Sequence, residues 1–468
     1  MGFGLVNIYR FHQPYSKSNG LVWSRAIVDL GQLMLATAPM HVKFERSPRN
    51  LHLMDLKERN IVNRARGLLE RFPVLALTGA RQSGKTTLAR MLCPDWHYFD
   101  LECGADRDFI TRDFEFFFQQ YPDRVIFDEA QECPELFQEL RGVVDTRRGE
   151  KGRFVVTGLS APELSTAISE SLAGRVASLE VGTFKMNERY SQPLSEFYGI
   201  MNDRESEGLD LESLMTLPVR FNTDQVIESF LSGGYPEPAL EGETVFFREW
   251  MAQYQKAYLE RDIRKLFPRL NMENYRRFLH ILSDLSGTIV NRSEIARSLN
   301  VSEAGVRDYL AIAEGTFLWR SLPSLEKTKS KSLVKMPKGY VRDSGLLHHL
   351  LDVRSVDQIM RRAGTGAAFE GFIIEEILRG FEAVQSTPWG ATYYRTRGGA
   401  EVDLVLSTPF GYRVPVEIKF GVSTRSESLR ALARFIEQED CRFGIVVNNA
   451  DRVRQLTKNI LQLPAGCL

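Results

Sequence analysis

A glycine-rich turn between an apolar run and a helical segment constrains this chain more than any other feature. Val74–Thr78 is apolar and of strand length, and residues 87–92 continue as a helix. The turn fits the pattern G-x-x-x-x-G-K-[ST]. Its glycines let the backbone point N–H groups at phosphate oxygens, beside a helix N-terminus that favours anions. The turn consists of Gly79, Ala80, Arg81, Gln82, Ser83, Gly84, Lys85 and Thr86.

This pattern predicts a nucleotide site that extends through Thr87. Lys85 is expected to reach the β- and γ-phosphates, and the Thr86 hydroxyl to bind Mg²⁺. A chance match in a glycine-containing turn is the alternative. The strand before the turn and the helix after it count against chance. ATP and Mg²⁺ are therefore the expected cofactors.

An acidic pair, Asp128 and Glu129, follows the apolar run Val125–Phe127. Carboxylates at the end of a buried strand are costly unless they have partners or a role. In P-loop proteins the first organises Mg²⁺ and the second orients and deprotonates the attacking water. The alternative is an ordinary strand-end turn. The glycine-rich turn upstream favours the catalytic interpretation and predicts ATP hydrolysis.

Two later strands add candidate catalytic residues. Phe154–Val156 ends at Thr157, a polar residue placed to lie near the γ-phosphate. Arg175 precedes the apolar strand Val176–Val181, where it is either a transition-state arginine, in cis or on a neighbouring subunit, or part of a surface salt bridge. Strands that alternate with helices predict an α/β fold, with a parallel sheet and the nucleotide at the carboxyl edge.

Composition sets the size and class of the protein. The 468 residues are 43% hydrophobic and 26% charged, which is typical of a globular chain with several domains. The formal net charge of zero provides no global field towards nucleic acid or membrane. The most apolar N-terminal stretch, residues 21–40, contains Arg25 and Asp29 and is too polar to span a membrane. The five cysteines are scattered along the sequence, and we interpret them as reduced thiols. We therefore expect a cytoplasmic protein without a membrane partner.

Three segments, TGARQSGKTTL, FDEAQ and SLAGR, resemble the AAA+ class. They resemble in particular the prokaryotic ATPases that carry a C-terminal domain of unknown function 4143. The family usually reads Thr-Gly-Ser-Ser where this chain has Leu159 after Thr157 and Gly158, so a role for the first serine is absent. The resemblance covers about residues 54–449 and continues in GGYP at 233–236, LERD at 259–262, PKGYVRD at 337–343, EVD at 401–403 and EIK at 417–419.

The chain is predicted to contain four modules between two terminal segments. Residues 1–53 are an N-terminal extension of uncertain status, and residues 451–468 a tail. Between them we expect a P-loop AAA+ core at 54–185, a helical lid at 186–265, a winged helix at 266–350 and a restriction-endonuclease-like α/β domain at 351–450. Arg261 and Asp262, at the end of the lid, either contact ATP or brace a domain junction, and bracing is favoured.

The winged-helix prediction rests on two short helices. Ser293–Leu299 is the first, and Ser302 caps the second. Arg307 on the second helix, with Lys335 and Lys338 on a basic wing, forms a candidate DNA-binding surface. The alternative is that this module only packs domains together or faces solvent.

The C-terminal part contains a second candidate site. Asp403 and Glu417 lie on a predicted strand pair and can converge on a second Mg²⁺ or a Mn²⁺, while Lys419 positions the attacking water. This arrangement resembles the PD-(D/E)xK nuclease core, with Glu370 as an extra carboxylate. The pattern is weak alone, because acids and lysines alternate on many exposed strands. Cleavage of DNA, cleavage of RNA and a purely structural role all stay open.

Two functional classes therefore compete. The first is an ATP-driven nucleic-acid enzyme with DNA as a partner. The second is an ATP-dependent switch or scaffold whose nuclease-like domain binds a partner without cutting. A metabolic kinase is disfavoured by the acidic pair and the modules that follow it. The sequence is compatible with a homo-oligomeric protein.

Overall fold

Apolar runs form a five-stranded parallel sheet in the computed structural model, which describes residues 57–158, 172–203, 211–325, 336–384, 389–408 and 410–468. The strand order β2-β3-β4-β1-β5 places β4 between the P-loop strand β1 and the acidic strand β3. The predicted parallel α/β sheet is confirmed. The strands are β1 Val74–Thr78, β2 His97–Asp100, β3 Val125–Asp128, β4 Phe154–Gly158 and β5 Val176–Glu180.

Helices cover both faces of this sheet because successive strand residues point to opposite sides. Val74 and Ala76 lie in one apolar core, and Leu75 and Leu77 lie in the other. The helices are α1 Val62–Leu69, α2 Lys85–Leu92, α3 Gly104–Thr111, α4 Phe114–Gln120 and α5 Leu136–Thr146, with a 3₁₀ turn at Ala130–Glu132.

The first helix begins later than the sequence pattern indicates. Helical periodicity predicts a start at Met54, which lies outside the described residues, but α1 starts at Val62. The preceding residues 57–61 form coil and a turn instead, and there the Asn60 backbone N–H donates to Glu188 at 2.7 Å and the Arg59 guanidinium donates to two backbone carbonyls.

The middle region is helical, as predicted. A π-helix, Tyr258–Ile263, interrupts its longest helical run, so the predicted helix Val245–Leu266 is present with one irregular segment. The helices are α6 Met186–Arg189, α7 Glu196–Met201, α8 Leu211–Met215, α9 Thr223–Ser232, α10 Pro236–Glu241, α11 Thr244–Ala257 and α12 Arg264–Leu266.

A helix pair and a small sheet follow. Ser302 caps α15 as predicted, since its hydroxyl accepts from the Gly305 N–H at 3.1 Å. The antiparallel sheet has the order β6-β8-β7. The elements are α13 Met272–Asp284, β6 Thr288–Ile289, α14 Arg292–Leu299, α15 Glu303–Gly315, β7 Trp319–Leu322, β8 Lys338–Val341, α16 Ser344–Leu350 and α17 Val356–Arg361.

The C-terminal region is a mixed six-stranded sheet with the order β13-β14-β12-β11-β10-β9. Its elements are α18 Thr365–Val384, β9 Gly390–Arg395, β10 Glu401–Ser407, β11 Arg413–Ile418, α19 Ser426–Gln438, β12 Gly444–Asn448, β13 Arg454–Thr457, β14 Ile460–Pro464 and a 3₁₀ turn at Ala465–Cys467.

The prediction of a tail at residues 451–468 is wrong. β14 pairs in parallel with β12, and all five of its residues are buried. Its apolar residues Ile460, Leu461 and Leu463 fill the sheet core, which explains why the segment is ordered in the sheet.

The middle and C-terminal regions share one apolar core, which extends from Met186 to Leu468. Helix α18 passes through this core and also reaches the ATPase side, where Lys185 donates to the Glu376 carboxylate at 2.8 Å. Among the described residues, no helix combines the length and the apolar character needed to cross a membrane.

The close contact between α18 and Tyr198 predicts a stability difference between two glycines of this helix. A Cβ at Gly380 would lie 2.1 Å from the buried Tyr198 ring, whereas a Cβ at Gly366 meets nothing within 4 Å. Gly380→Ala should lower the free energy of unfolding by about 1–3 kcal/mol through overpacking. Gly366→Ala should raise it by up to about 1 kcal/mol. Urea unfolding of both variants measures the difference, and equal stabilities would contradict the packing described here.

Candidate nucleotide and C-terminal sites

The P-loop has the backbone that its two glycines predict. Gly84 has φ of +94°, a left-handed conformation that favours glycine. A Cβ at Gly79 would lie 2.3 Å from the Val181 carbonyl oxygen. The predicted nucleotide-binding residues Gly79 to Gly84, including Ala80, Gln82 and Ser83, therefore form one loop at the carboxyl edge of the sheet, and Lys85, Thr86 and Thr87 form the first turn of α2.

Lys85 lies inside this loop. Its ammonium donates to the carbonyls of Gly79 at 3.1 Å and Ala80 at 2.8 Å. Burial lowers the pKa of Lys85, and the negative charges of Glu129 and Asp128 oppose that effect. The lysine is thus held where it can meet the phosphates of a bound nucleotide.

The Asp128 carboxylate is the centre of a hydrogen-bond network. It accepts from the Thr86 hydroxyl at 2.9 Å, from the Tyr98 hydroxyl at 2.6 Å and from the Thr157 hydroxyl. Its side chain is buried at the end of β3. Hydroxyl and carboxylate oxygens are the ligands that Mg²⁺ prefers, so Thr86 and Asp128 fit the predicted magnesium site.

Thr157 connects the two acidic residues. Its hydroxyl donates to Asp128 and accepts from the Glu129 N–H at 3.2 Å. Glu129 has φ of +52°, which turns the chain sharply after β3, and its carboxylate accepts from Gln131 at 2.5 Å. The structure therefore brings Asp128, Glu129 and Thr157 together at the strand tips, as their positions in the sequence predict.

Two residues of this site were missed in the sequence. The Tyr98 hydroxyl binds Asp128, and its ring lies 3.8 Å from the Arg90 guanidinium. Arg59 donates to the carbonyl of Ser83 in the P-loop at 2.9 Å and to that of Gly182 at 2.7 Å. Tyr98 lies inside β2 rather than after it, so the pattern of polar residues at strand ends does not mark it. No sequence signal marks Arg59 either.

Arg175 lies at the opposite edge of the sheet. β5 runs parallel to β1, with Val74 opposite Val176 and Thr78 opposite Glu180, so Arg175 precedes the strands that the P-loop follows. Its guanidinium binds both oxygens of Asp145, at 2.7 and 2.8 Å. The predicted role in cis is wrong because a whole strand separates Arg175 from the nucleotide site. The alternative of a surface salt bridge is confirmed.

A helical segment lies against the P-loop. We call residues 258–266, the π-helix and α12, the lid segment. Arg261 pairs with Glu102, and Asp262 pairs with Arg81 of the P-loop. These two ion pairs join the lid segment to loops of the parallel sheet, and the second places Asp262 beside the P-loop.

The candidate DNA-binding face has mixed charge. Arg307 is exposed and lies 3.8 Å from Asp308. The exposed face of α15 also carries Glu303 and Glu314, so acids outnumber bases there. Lys335 lies outside the described residues. A net acidic face repels DNA phosphates rather than attracting them.

Lys338 is not part of a surface, so its predicted contact with DNA is wrong. Its ammonium is buried and binds Glu370 at 2.6 Å and Glu401 at 2.7 Å, with Asp403 at 3.9 Å. It begins β8, which points it inward towards α18 and β10. The lysine compensates carboxylates of the C-terminal region.

The four predicted nuclease residues do come together. Lys419 lies 2.7 Å from Glu417 and 3.4 Å from Asp403, and the Ile418 N–H donates to Asp403 at 2.8 Å. Glu370 joins the same cluster indirectly, because its carboxylate pairs with the Lys338 ammonium, which also lies near Asp403. Burial and the nearby charge of Asp403 raise the pKa of Glu370 to about 8 and that of Glu417 to about 7.

The structure shows no site for a second divalent cation among the described residues of this C-terminal cluster. Within the part of the chain that the structure describes, no group of three or more His, Cys, Asp or Glu residues could hold a metal ion. Two ammonium groups, of Lys338 and Lys419, lie among the carboxylates instead. A second Mg²⁺ or Mn²⁺ at Asp403 and Glu417 is thus unsupported by the geometry.

Comparisons with known proteins agree with the nucleotide site. Residues 71–190 match the model of an AAA domain, and the chain therefore contains an AAA-type ATPase domain. Residues 223–357 match a domain of unknown function, DUF8612, and residues 365–468 match a second, DUF4143.

Similar proteins span most of this chain. The uncharacterized protein Rv2008c of Mycobacterium tuberculosis is 29% identical over 418 residues, covering 88% of this chain and 84% of its own length. Among solved structures, the Walker-type ATPase PABY2304 of Pyrococcus abyssi matches with a TM-score of 0.37 and 17% identity, over 64% of this chain and 97% of its own. The RuvB Holliday junction branch migration motor of Thermotoga maritima matches with a TM-score of 0.28 and 17% identity, over 58% of this chain and 92% of its own.

Removal of Lys338 should destabilise the protein in a pH-dependent manner. Lys338→Met leaves the buried carboxylates without their cation, at a cost of about 3–5 kcal/mol of unfolding free energy at pH 8. A carboxyl group whose pKa is raised in the folded state destabilises the protein as the pH rises above the pKa that the group has in the unfolded state. The destabilisation by Lys338→Met should therefore be smaller at pH 5 than at pH 8. Urea unfolding at both pH values measures it, with Lys256→Met, an exposed lysine of α11, as control. A loss independent of pH would contradict the charge compensation.

Proposed function

We propose that this protein is a Mg²⁺-dependent ATP hydrolase in which Glu129 is the general base. The observation that supports this most strongly is the Thr157 hydroxyl, which joins Asp128 to the backbone of Glu129 beside the P-loop. One threonine thereby sets the positions of both acids relative to the phosphates. Such preorganised geometry is what phosphoryl transfer requires of a protein.

In this proposal the P-loop N–H groups and Lys85 bind the triphosphate. Thr86 and Asp128 hold Mg²⁺, which neutralises phosphate charge when bound. Glu129 accepts a proton from the water that attacks the γ-phosphorus, and the bond to the β-phosphate oxygen breaks to give ADP and phosphate. Glu129 is half-buried, so it can contact both the site and water.

We infer that the remaining regions are a helical lid, a winged helix and a nuclease-like domain. The helix pair α14 and α15, followed by the antiparallel strands β7 and β8, supports the winged helix. Leu404 of β10 pairs with Val416 of β11. Asp403 and Glu417 are the neighbouring residues on these two adjacent strands, and this placement supports the nuclease-like core.

For the output of the ATPase we propose the switch or scaffold rather than the nuclease. Two observations support this choice. Lys338 fills the carboxylate cluster with its own ammonium, and the exposed face of α15 has more acids than bases. In this proposal the C-terminal domain keeps a nuclease-like fold and binds a partner without cutting nucleic acid. The proposal includes no role for Arg175 at the nucleotide site of a neighbouring subunit in a homo-oligomer.

Substitution of the proposed base should separate binding from turnover. Glu129→Gln keeps the shape of the side chain but cannot accept the proton, so it should bind ATP and lose at least about 100-fold in phosphate release. Lys85→Ala should lose ATP binding. Calorimetry and a phosphate-release assay measure both, with Glu139→Gln on the exposed face of α5 as the control for the charge change. Wild-type turnover by Glu129→Gln would reject Glu129 as the base.

A cleavage assay separates the two outputs. Supercoiled plasmid and single-stranded DNA and RNA are incubated with Mn²⁺ and ATP. The wild type and the double variant Asp403→Ala/Lys419→Ala should leave the substrates equally intact, since Lys338 and Lys419 compensate the carboxylates that a metal would need. Cleavage by the wild type that the double variant lacks would overturn the scaffold proposal in favour of the nuclease.

A further inference from the structure

The lid segment contacts the nucleotide site at three loops. Asp262 pairs with Arg81 in the P-loop, Arg261 with Glu102 after β2, and Lys265 with Glu132 after β3. These loops all lie at the carboxyl edge of the parallel sheet, where the phosphates bind. The lid segment is therefore the element of the middle region that meets the nucleotide site directly.

Asp262 differs from the other two lid residues because it is buried. Its side chain is 5% exposed, against 50% for Arg261 and 55% for Lys265. One carboxylate oxygen binds Arg81, and the other has no hydrogen-bond partner among the described residues. An unpaired oxygen of a buried carboxylate is costly, so the contact with Arg81 holds Asp262 in an unfavourable environment.

The charge of Asp262 acts on the residues that bind phosphate. Its carboxylate lies close enough to stabilise the charged form of Lys85. Burial raises the pKa of Asp262, the charge of Glu129 adds to this effect, and the Arg81 guanidinium opposes it. A bound triphosphate would bring a second anion to the same two cations, Arg81 and Lys85. Two anions in a partly buried site repel each other strongly, so nucleotide and Asp262 compete.

The same segment contacts the region that follows it. The Tyr258 hydroxyl lies 3.1 Å from the Tyr275 hydroxyl of α13 and 2.7 Å from the Thr316 hydroxyl at the end of α15. The backbone between Tyr258 and Asp262 is π-helical, a rare geometry that is frequent at functional sites. A continuous chain of contacts therefore connects the P-loop to α13 and to the end of α15.

We propose that the nucleotide phosphates displace Asp262 from Arg81 and that this exchange moves the lid segment against α13 and α15. The inference rests on ATP binding at the P-loop and adds the way in which that site is regulated. Asp262 acts as an internal anion that occupies Arg81 when no phosphate is there. By linkage, whatever holds the lid segment in place weakens nucleotide binding by the same factor.

Asp262→Asn tests the competition, with Glu260→Gln as the matched control. Glu260 lies on the same π-helix, is exposed and loses the same charge. Calorimetry with the Mg²⁺ complex of a non-hydrolysable ATP analogue should show Asp262→Asn binding at least about fivefold more tightly than the wild type. Glu260→Gln should bind as the wild type does.

Hydrogen exchange of the full-length protein tests the transmission. In the wild type, the analogue should speed backbone exchange in the lid segment and in α13. Asp262→Asn should exchange quickly there with or without the analogue. Tyr258→Phe, which removes only a hydroxyl, should bind the analogue at least as tightly as the wild type, because one contact that holds the lid segment is lost, and should confine the exchange response to the lid segment.

Each outcome decides between the two proposals. Wild-type affinity and a wild-type exchange response in Asp262→Asn would overturn the competition. If Asp262→Asn does not fold, a full α13 response in Tyr258→Phe would overturn the transmission. Failure of the wild type to bind the analogue, with Lys85→Ala behaving identically, would overturn the ATPase proposal as well. Binding by the wild type without an effect at Asp262 overturns this inference alone.

Discussion

The Asp128 carboxylate is the interaction on which the nucleotide site depends. It accepts hydroxyl hydrogen bonds from Thr86 on α2, Tyr98 on β2 and Thr157 on β4, three elements that surround β3. A buried charge without such donors would cost several kcal/mol, so the network stabilises the ion and fixes the geometry together. The order β2-β3-β4-β1 makes this possible, because it places the ends of these strands side by side.

Local sequence patterns predicted the ATPase region well. The strands β1, β3, β4 and β5 and the P-loop follow from short apolar runs and glycine chemistry, which act over a few residues. Periodicity failed at α1, where Asn60 is held by Glu188, a residue far along the chain. The inner strand β14 was missed as well, since a short apolar segment carries no sign of the two strands that will pair with it and bury it.

Charge compensation across regions was the part that the sequence could not reveal. Lys338 belongs to a run of lysines that reads as a solvated basic wing, yet it is buried against Glu370 on α18 and Glu401 on β10. Arg175 directly precedes an apolar strand of the sheet, but it pairs with Asp145 at the edge opposite the nucleotide site. In both cases the residue type was informative and its partner depended on the tertiary fold. The contacts of Asp262 are of the same kind.

The central claim is that Asp128 is the residue through which Mg²⁺ strengthens ATP binding. Calorimetric titration with ATP in the presence of Mg²⁺ and again in EDTA, on the wild type and on Asp128→Asn, tests it most directly. We predict that Mg²⁺ tightens ATP binding by at least about tenfold in the wild type and much less in Asp128→Asn, which keeps only Thr86 of the two proposed Mg²⁺ ligands and should still bind metal-free ATP through Lys85. An equal effect of Mg²⁺ on both proteins would contradict the account.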